Sequence, residues 1–325
     1  LDQVTELGDE VVELLGPGGG LGVSLVHHRT QRYRTETSVT APAPLPTMTA
    51  VSVPALAPIV GVLVLAELAV GTVAATYAGD LLGEVGRGFL GTTAAICLAL
   101  MGICLAMTAL LPDPAQLLHH PVDAGGFAGF VHWSVAFTVA LGLYTLMCAV
   151  GTDPARRVVG AVTVLFGAVA IGRAAATFGF SGVGGLAGAV AFVPAALLAG
   201  STLAGMLLGH WYLIAPDLSF RPLRRAVYLI FAAVAIQAVA VAVAVATADG
   251  AVRASLLGER YGASFWLLVV AAGLVVTAAV NGLTLHYARI RANQPATAML
   301  YILVITVMMG VVPGHLLYFL TRVPV

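Results

Sequence analysis

The 325-residue sequence is 60% hydrophobic and 9% charged, against about 25% charged residues in soluble domains, which excludes a water-soluble globular chain and fits a polytopic membrane protein. Fifteen basic and fifteen acidic residues give a net charge of zero, and no basic run exceeds two, which argues against a nucleic-acid partner. Every basic residue is Arg, and with the excess of Ala, Val and Gly this composition points to a GC-rich bacterial genome.

Residues 1–52 differ from the rest and read as an N-terminal tail. "LDQVTELGDEVVELLG" has an amphipathic helical pattern with acids on one side, and "PGGG" stops it. "HHRTQRYRTETSVTAPAPLPT" then reads as a polar, Pro-spaced linker. The tail is expected to lie on a surface or to touch a partner subunit. The chain begins with Leu, as a processed or incomplete chain would, and Met48 is an alternative start. The first apolar run is too long and too far along for a signal peptide.

Residues 53–325 read as an all-α transmembrane domain of eight helices. The predicted spans are 54–78, 88–111, 127–150, 158–177, 187–214, 226–247, 263–288 and 297–320. Each is long enough for a hydrocarbon core of about 30 Å, which needs about 20 helical residues. No barrel alternation is present, so the backbone satisfies itself in lipid as helix. The first span carries Glu67 in "VLVLAELAVGT". The second carries Cys97 and Cys104 and is followed by "HHPVDAGG", an exposed loop with His119 and His120 and, alternatively, a surface metal site.

His132 lies near the outer end of the third span, which also holds Cys148, and Arg173 lies near the outer end of the fourth. The three cysteines have no metal or redox spacing and read as small core residues. The fifth span, "GLAGAVAFVPAALLAGSTLAGMLLG", has the small residues that permit close helix packing. It leaves the membrane through "GHWYLIAPDLSFRPLRR", in which Trp211 and Tyr212 anchor, Pro216 ends the helix and Arg221, Arg224 and Arg225 hold the loop inside. Gln237 lies in the sixth span, Asn281 and His286 in the seventh, and His315 in the eighth, just after a predicted kink at Pro313.

The loops after the odd spans carry Arg87, Arg156, Arg157, Arg221, Arg224, Arg225, Arg289 and Arg291, and the loops after spans two and four carry none. The positive-inside rule makes the odd loops cytoplasmic and puts both termini outside, although Arg253 and Arg260 lie in the outer loop after span six and the tail holds Arg29, Arg32 and Arg34. The expected location is a bacterial inner membrane. No internal repeat supports an inverted-repeat transporter.

Ionisable groups inside spans are costly and mark functional candidates. Glu67 is a candidate for proton transfer or for contact with quinone or substrate, or else a protonated acid bonded to a neighbouring helix. His132 and His315 share one expected depth, and His210 and His286 share the opposite one. Two histidines at one level on different helices suit the axial positions of a b-type haem, with Arg221, Arg224, Arg225 and Arg289 available to its propionates. The same histidines also fit an interfacial aromatic belt or quinone contacts. Arg173, Gln237 and Asn281 are candidates for a substrate path, with snorkelling for Arg173 and interhelical bonding for the amides as the alternatives. No Walker, HExxH or GxSxG motif is present, so ATPase, zinc protease and serine hydrolase readings have no support.

By its eight-span architecture alone, and not by any motif, the chain is similar to quinol-interacting anchor subunits of respiratory oxidoreductases, such as the polysulfide-reductase membrane subunit type. Haem A synthase also has eight spans and four haem-associated histidines, but its Glu-x-x-His pattern is missing, since Leu68, Ala69 and Val70 follow Glu67. The expected function is an integral subunit of a respiratory-type electron-transfer complex that handles quinone, b haem or both beside other subunits. The alternatives are a permease and a non-catalytic structural subunit.

Overall fold

The computed structural model describes residues 53–83, 85–111, 124–179, 186–215, 218–258 and 260–325. The tail, His119, His120 and Pro216 lie outside the described residues. Among the described residues there is no strand, and eight helices are long and apolar enough to cross a membrane. They are α1 (Val53–Leu81), α2 (Arg87–Leu110), α3 (Ala124–Val150), α4 (Asp153–Thr177), α5 (Leu186–Ile214), α6 (Arg221–Thr247), α8 (Gly262–Arg289) and α9 (Asn293–Thr321). A short helix, α7 (Gly250–Leu257), lies between α6 and α8. The chain is a multi-pass membrane protein.

Several helices begin earlier than their apolar stretches. α4 starts at Asp153 with Pro154 in its first turn, and α6 starts at Arg221 followed by Pro222. Proline is preorganised for the first helical turn, where its missing N–H costs nothing. Hydropathy locates the hydrocarbon-facing part of a span, whereas the helix continues into the polar interface. At the other end of the first span, Gly83 (φ +66°) takes the left-handed conformation that closes α1, and its N–H donates to the Asp80 carbonyl at 2.9 Å.

Burial shows which helices are central. In α1 and α5, 72% of the most apolar window is buried, against 22% in α8. The two run parallel and cross at Gly71 and Gly200, where a Cβ on either glycine would overlap the other helix's backbone. The Thr72 hydroxyl donates to the Gly200 carbonyl at 3.2 Å across that crossing. α9 packs against both, α2 and α4 flank α1 with α3 outside them, and α6 and α8 cover α5 and α9. Large apolar side chains such as Leu110, Val139 and Leu267 project outward, as lipid-facing residues do.

A second close crossing joins α8 to α9. A Cβ on Gly273 would lie 2.7 Å from the Gly310 Cα. Around Gly273 the helix is wound as a π-helix from Phe265 to Val276, and the Thr277 hydroxyl bonds both Ala272 O at 3.1 Å and Thr306 Oγ1 at 2.9 Å. Nothing in the apolar sequence of this span predicts that winding. The π-helix is rare and concentrates at functional sites.

The arginine-rich side of the bundle is tied by ions. Arg156 holds Asp80 through two hydrogen bonds, at 2.6 and 3.1 Å, with only 1% of Asp80 and 4% of Arg156 exposed. Arg156 also reaches Asp153 at 2.6 Å, and Arg87 meets the same carboxylate at the exposed rim. The network joins the ends of α1, α2 and α4.

Candidate functional site

Glu67 is the middle residue of α1, and the structure gives it a partner on α9. His315 Nε2 lies 2.8 Å from Oε1 and 2.9 Å from Oε2 of Glu67. Glu67 is 0% exposed and His315 1% exposed. The local sequence explains the placement. Gly71, one turn from Glu67, brings α1 against α5, while Pro313 and Gly314 immediately precede the histidine on α9. Gly314 leaves room for the carbonyl of Val325, which would otherwise sit 2.7 Å from a Cβ there. Proline at 313 removes the hydrogen bond to the carbonyl four residues back, so the turn that carries His315 is less tightly tied to the rest of α9.

An aromatic cluster encloses the imidazole. The Phe192 ring of α5 lies 5.2 Å from the His315 ring and 5.6 Å from Tyr318, and it also meets Phe178. The Tyr318 hydroxyl donates to the Phe178 carbonyl at 2.6 Å, which ties α9 to the C-terminal end of α4. Phe178 in turn contacts Phe127 and Phe319. His315 Nδ1 is buried and has no hydrogen-bond partner.

One proton shared between a carboxyl and an imidazole leaves the unit net neutral, whether oxygen or nitrogen holds it. Removing that proton leaves a net negative charge in the core, and adding one leaves a net positive charge. Both are expensive without a compensating group. The arrangement therefore favours a single proton on the pair, and a transfer of that proton from oxygen to nitrogen would change the local distribution of charge.

The other expected site residues are placed differently. His132 is exposed beside Trp133 on α3. His210 is exposed on α5, its Nδ1 3.1 Å from the Tyr301 hydroxyl of α9. His286 is exposed on α8 beside Tyr287. The expected axial pairs of His132 with His315 and of His210 with His286 are thus replaced by a Glu67–His315 pair and a His210–Tyr301 pair. The physical reason is that equal depth does not make two helices neighbours or turn their side chains together. The His315 ring is enclosed and held by Glu67, whereas the His132, His210 and His286 rings are exposed.

Arg221 and Arg225 are exposed at the start of α6 and Arg224 is half-buried, while Arg289 donates to the Tyr228 hydroxyl at 3.0 Å. Arg173 is exposed with its guanidinium over Gly129 of α3. Asn281 is fully buried and donates to the Val227 carbonyl of α6 at 3.0 Å, leaving its Oδ1 without a partner. Gln237 is buried with an unpartnered Oε1. Cys97, Cys104 and Cys148 are buried free thiols, and among the described residues no group of three or more His, Cys, Asp or Glu side chains could hold a metal ion.

Sequence reasoning missed the Asp80–Arg156 pair and the partner of Glu67. A lone acid at the arginine-rich end of a span was a usable signal for the first. For the second, no spacing links residues 248 positions apart. No family model, curated protein or solved structure matches the chain.

Proposed function

We propose that this chain is a proton-transfer subunit of a respiratory-type electron-transfer complex in a bacterial inner membrane, with its arginine-rich side cytoplasmic and both termini outside. Glu67 and His315 are its proton site. Quinone is the redox partner, because its reduction takes up protons inside the membrane and its oxidation releases them there. The observation that carries this reading is the buried carboxyl–imidazole hydrogen bond between α1 and α9. Its enclosure, with Phe192 against the imidazole, leaves no solute-sized opening at the pair, which favours a proton site over a solute path. Haem has no step in this mechanism.

A second reading, a proton-coupled carrier, is favoured by the two glycine crossings and the π-helical stretch of α8, which are devices that let helices shift against one another. One pair of measurements separates the two. Native membranes carrying the wild type or Glu67→Gln are assayed for quinol-driven electron transfer and for acidification of the medium. The purified chain in liposomes is assayed for proton uptake driven by a potassium diffusion potential. The relay reading expects Glu67→Gln to assemble normally and to lose at least about tenfold of the coupled proton release, as for removal of a proton-transfer group. Unchanged release in Glu67→Gln overturns the proton role, and solute-dependent proton uptake by the chain alone favours the carrier.

A further inference from the structure

On the arginine-rich side, inward of the Gly71/Gly200 crossing, a cleft of about 210 Å³ opens between α1, α2 and α6, with α5 as its floor. Small residues make the space: Ala75 and Gly79 on α1, Ala204 on α5 and Ala226 on α6. Leu82 and Leu229 form an exposed apolar rim, so the cleft opens sideways toward lipid. Arg225 lies at the exposed mouth, with Arg221 and Arg224 in the same helical turn.

The deep end carries two polar groups, Thr76 and Ser201, both buried. Each hydroxyl has one proton, and each already donates it to its own helix. Thr76 donates to Thr72 O at 2.9 Å and Ser201 to Leu198 O at 3.2 Å. A quinone carbonyl seated there would gain a donor only by breaking one of these intrahelical bonds, and burying it without a donor is costly. A hydrocarbon chain faces no such cost. The cleft therefore takes a tail inward and keeps a polar head at Arg225. The guanidinium of Arg225, with Arg221 and Arg224 close by on the same helix, suits a lipid phosphate at the mouth, as basic pockets between membrane helices do.

We infer that this cleft is a binding site for one anionic phospholipid, with one acyl chain between α1 and α6 and its phosphate at Arg225. This site is separate from Glu67, which lies nine residues from Thr76 along α1, roughly 13 Å at 1.5 Å per residue, so its test does not depend on the proton reading.

The full chain is exchanged into nanodiscs of equimolar phosphatidylglycerol and phosphatidylcholine, with a little oleate and menaquinone. It is then re-extracted in detergent, and bound molecules are counted by native mass spectrometry. The wild type is expected to retain one phosphatidylglycerol per chain with a preference of about fivefold over phosphatidylcholine, the factor expected of one arginine near the headgroup. Arg225→Gln abolishes the preference, Arg225→Lys keeps it, and Ala204→Leu, which fills the floor, loses retention of both lipids. Arg225 is exposed, so the two arginine variants remain informative if Ala204→Leu fails to fold. Equal retention of the two lipids by the wild type, insensitivity to Arg225→Gln, or oleate or menaquinone as the retained species overturns the inference.

Discussion

Replacing Glu67 separates the two things the carboxyl does. Were the pair ionised, two unit charges 2.8 Å apart would attract by about 6 kcal/mol at an effective dielectric constant of about 20. Desolvating the two ions costs several kcal/mol each, so attraction and desolvation roughly cancel and the hydrogen bond itself decides the balance. Glu67→Gln keeps a hydrogen-bonding group of the same size beside His315 Nε2 and removes the exchangeable proton. Its stability is expected to stay within about 1 kcal/mol of the wild type, the net worth of a typical hydrogen bond. Glu67→Ala instead leaves both imidazole nitrogens without partners and opens a cavity, which costs about 3–5 kcal/mol by analogy with a broken buried pair. At about 2–4 °C per kcal/mol for a larger domain, the expected fall in Tm is about 6–20 °C for Ala and under about 4 °C for Gln. The assay is tryptophan fluorescence on heating in one detergent, paired with size-exclusion chromatography to check assembly. An Ala variant that melts with the wild type would refute the claim that the pair joins α1 to α9. A Gln variant as unstable as Ala would show that the negative charge, not the hydrogen bond, holds the helices together.

Gly71→Ala should lower stability by about 3 kcal/mol, the upper part of the overpacking range, because the added methyl meets backbone and not a yielding side chain; Gly142→Ala, with open space at that position, should show no loss in the same melt. Asp80→Asn should cost about 3 kcal/mol, since it takes from the buried Arg156 its buried, doubly bonded carboxylate and leaves it only the exposed Asp153. Arg87→Gln, at the exposed end of the same network, should leave the melting curve unchanged. Maleimide should label Cys97, Cys104 and Cys148 slowly in the folded chain and fully after denaturation in sodium dodecyl sulfate, because all three thiols are buried; rapid labelling of Cys97 would contradict the packing of α2.

Much of the fold was legible in the sequence. Apolar runs of spanning length, punctuated by Arg, Pro and Gly, identify eight helices because lipid leaves the backbone no other way to satisfy its hydrogen bonds. The cost of burying a carboxylate marked Glu67 as a candidate in the same way. Helix ends were less legible, as α4 and α6 show, because an interfacial turn carries no apolar signal. The winding of α8 was not legible at all. Phe265–Val276 is as apolar as an ordinary span, and its π-helical form is seen only with Gly273 against Gly310.

What only the tertiary structure decided is which polar residues meet. Depth along a helix can be read from the sequence, and it placed His315 with His132 and His210 with His286. Neighbourhood cannot be read in that way, because it depends on which helices adjoin and how each is rotated. The contacts of α1 with α5 and of α5 with α9 fix those rotations through Gly71, Gly200 and Thr297, whose hydroxyl bonds the Gly209 carbonyl. Those rotations turn His315 toward Glu67 and leave His132, His210 and His286 exposed. The sequence by itself determined that this is an eight-helix membrane bundle with a carboxyl at its centre; packing among small residues determined the imidazole to which that carboxyl is hydrogen-bonded.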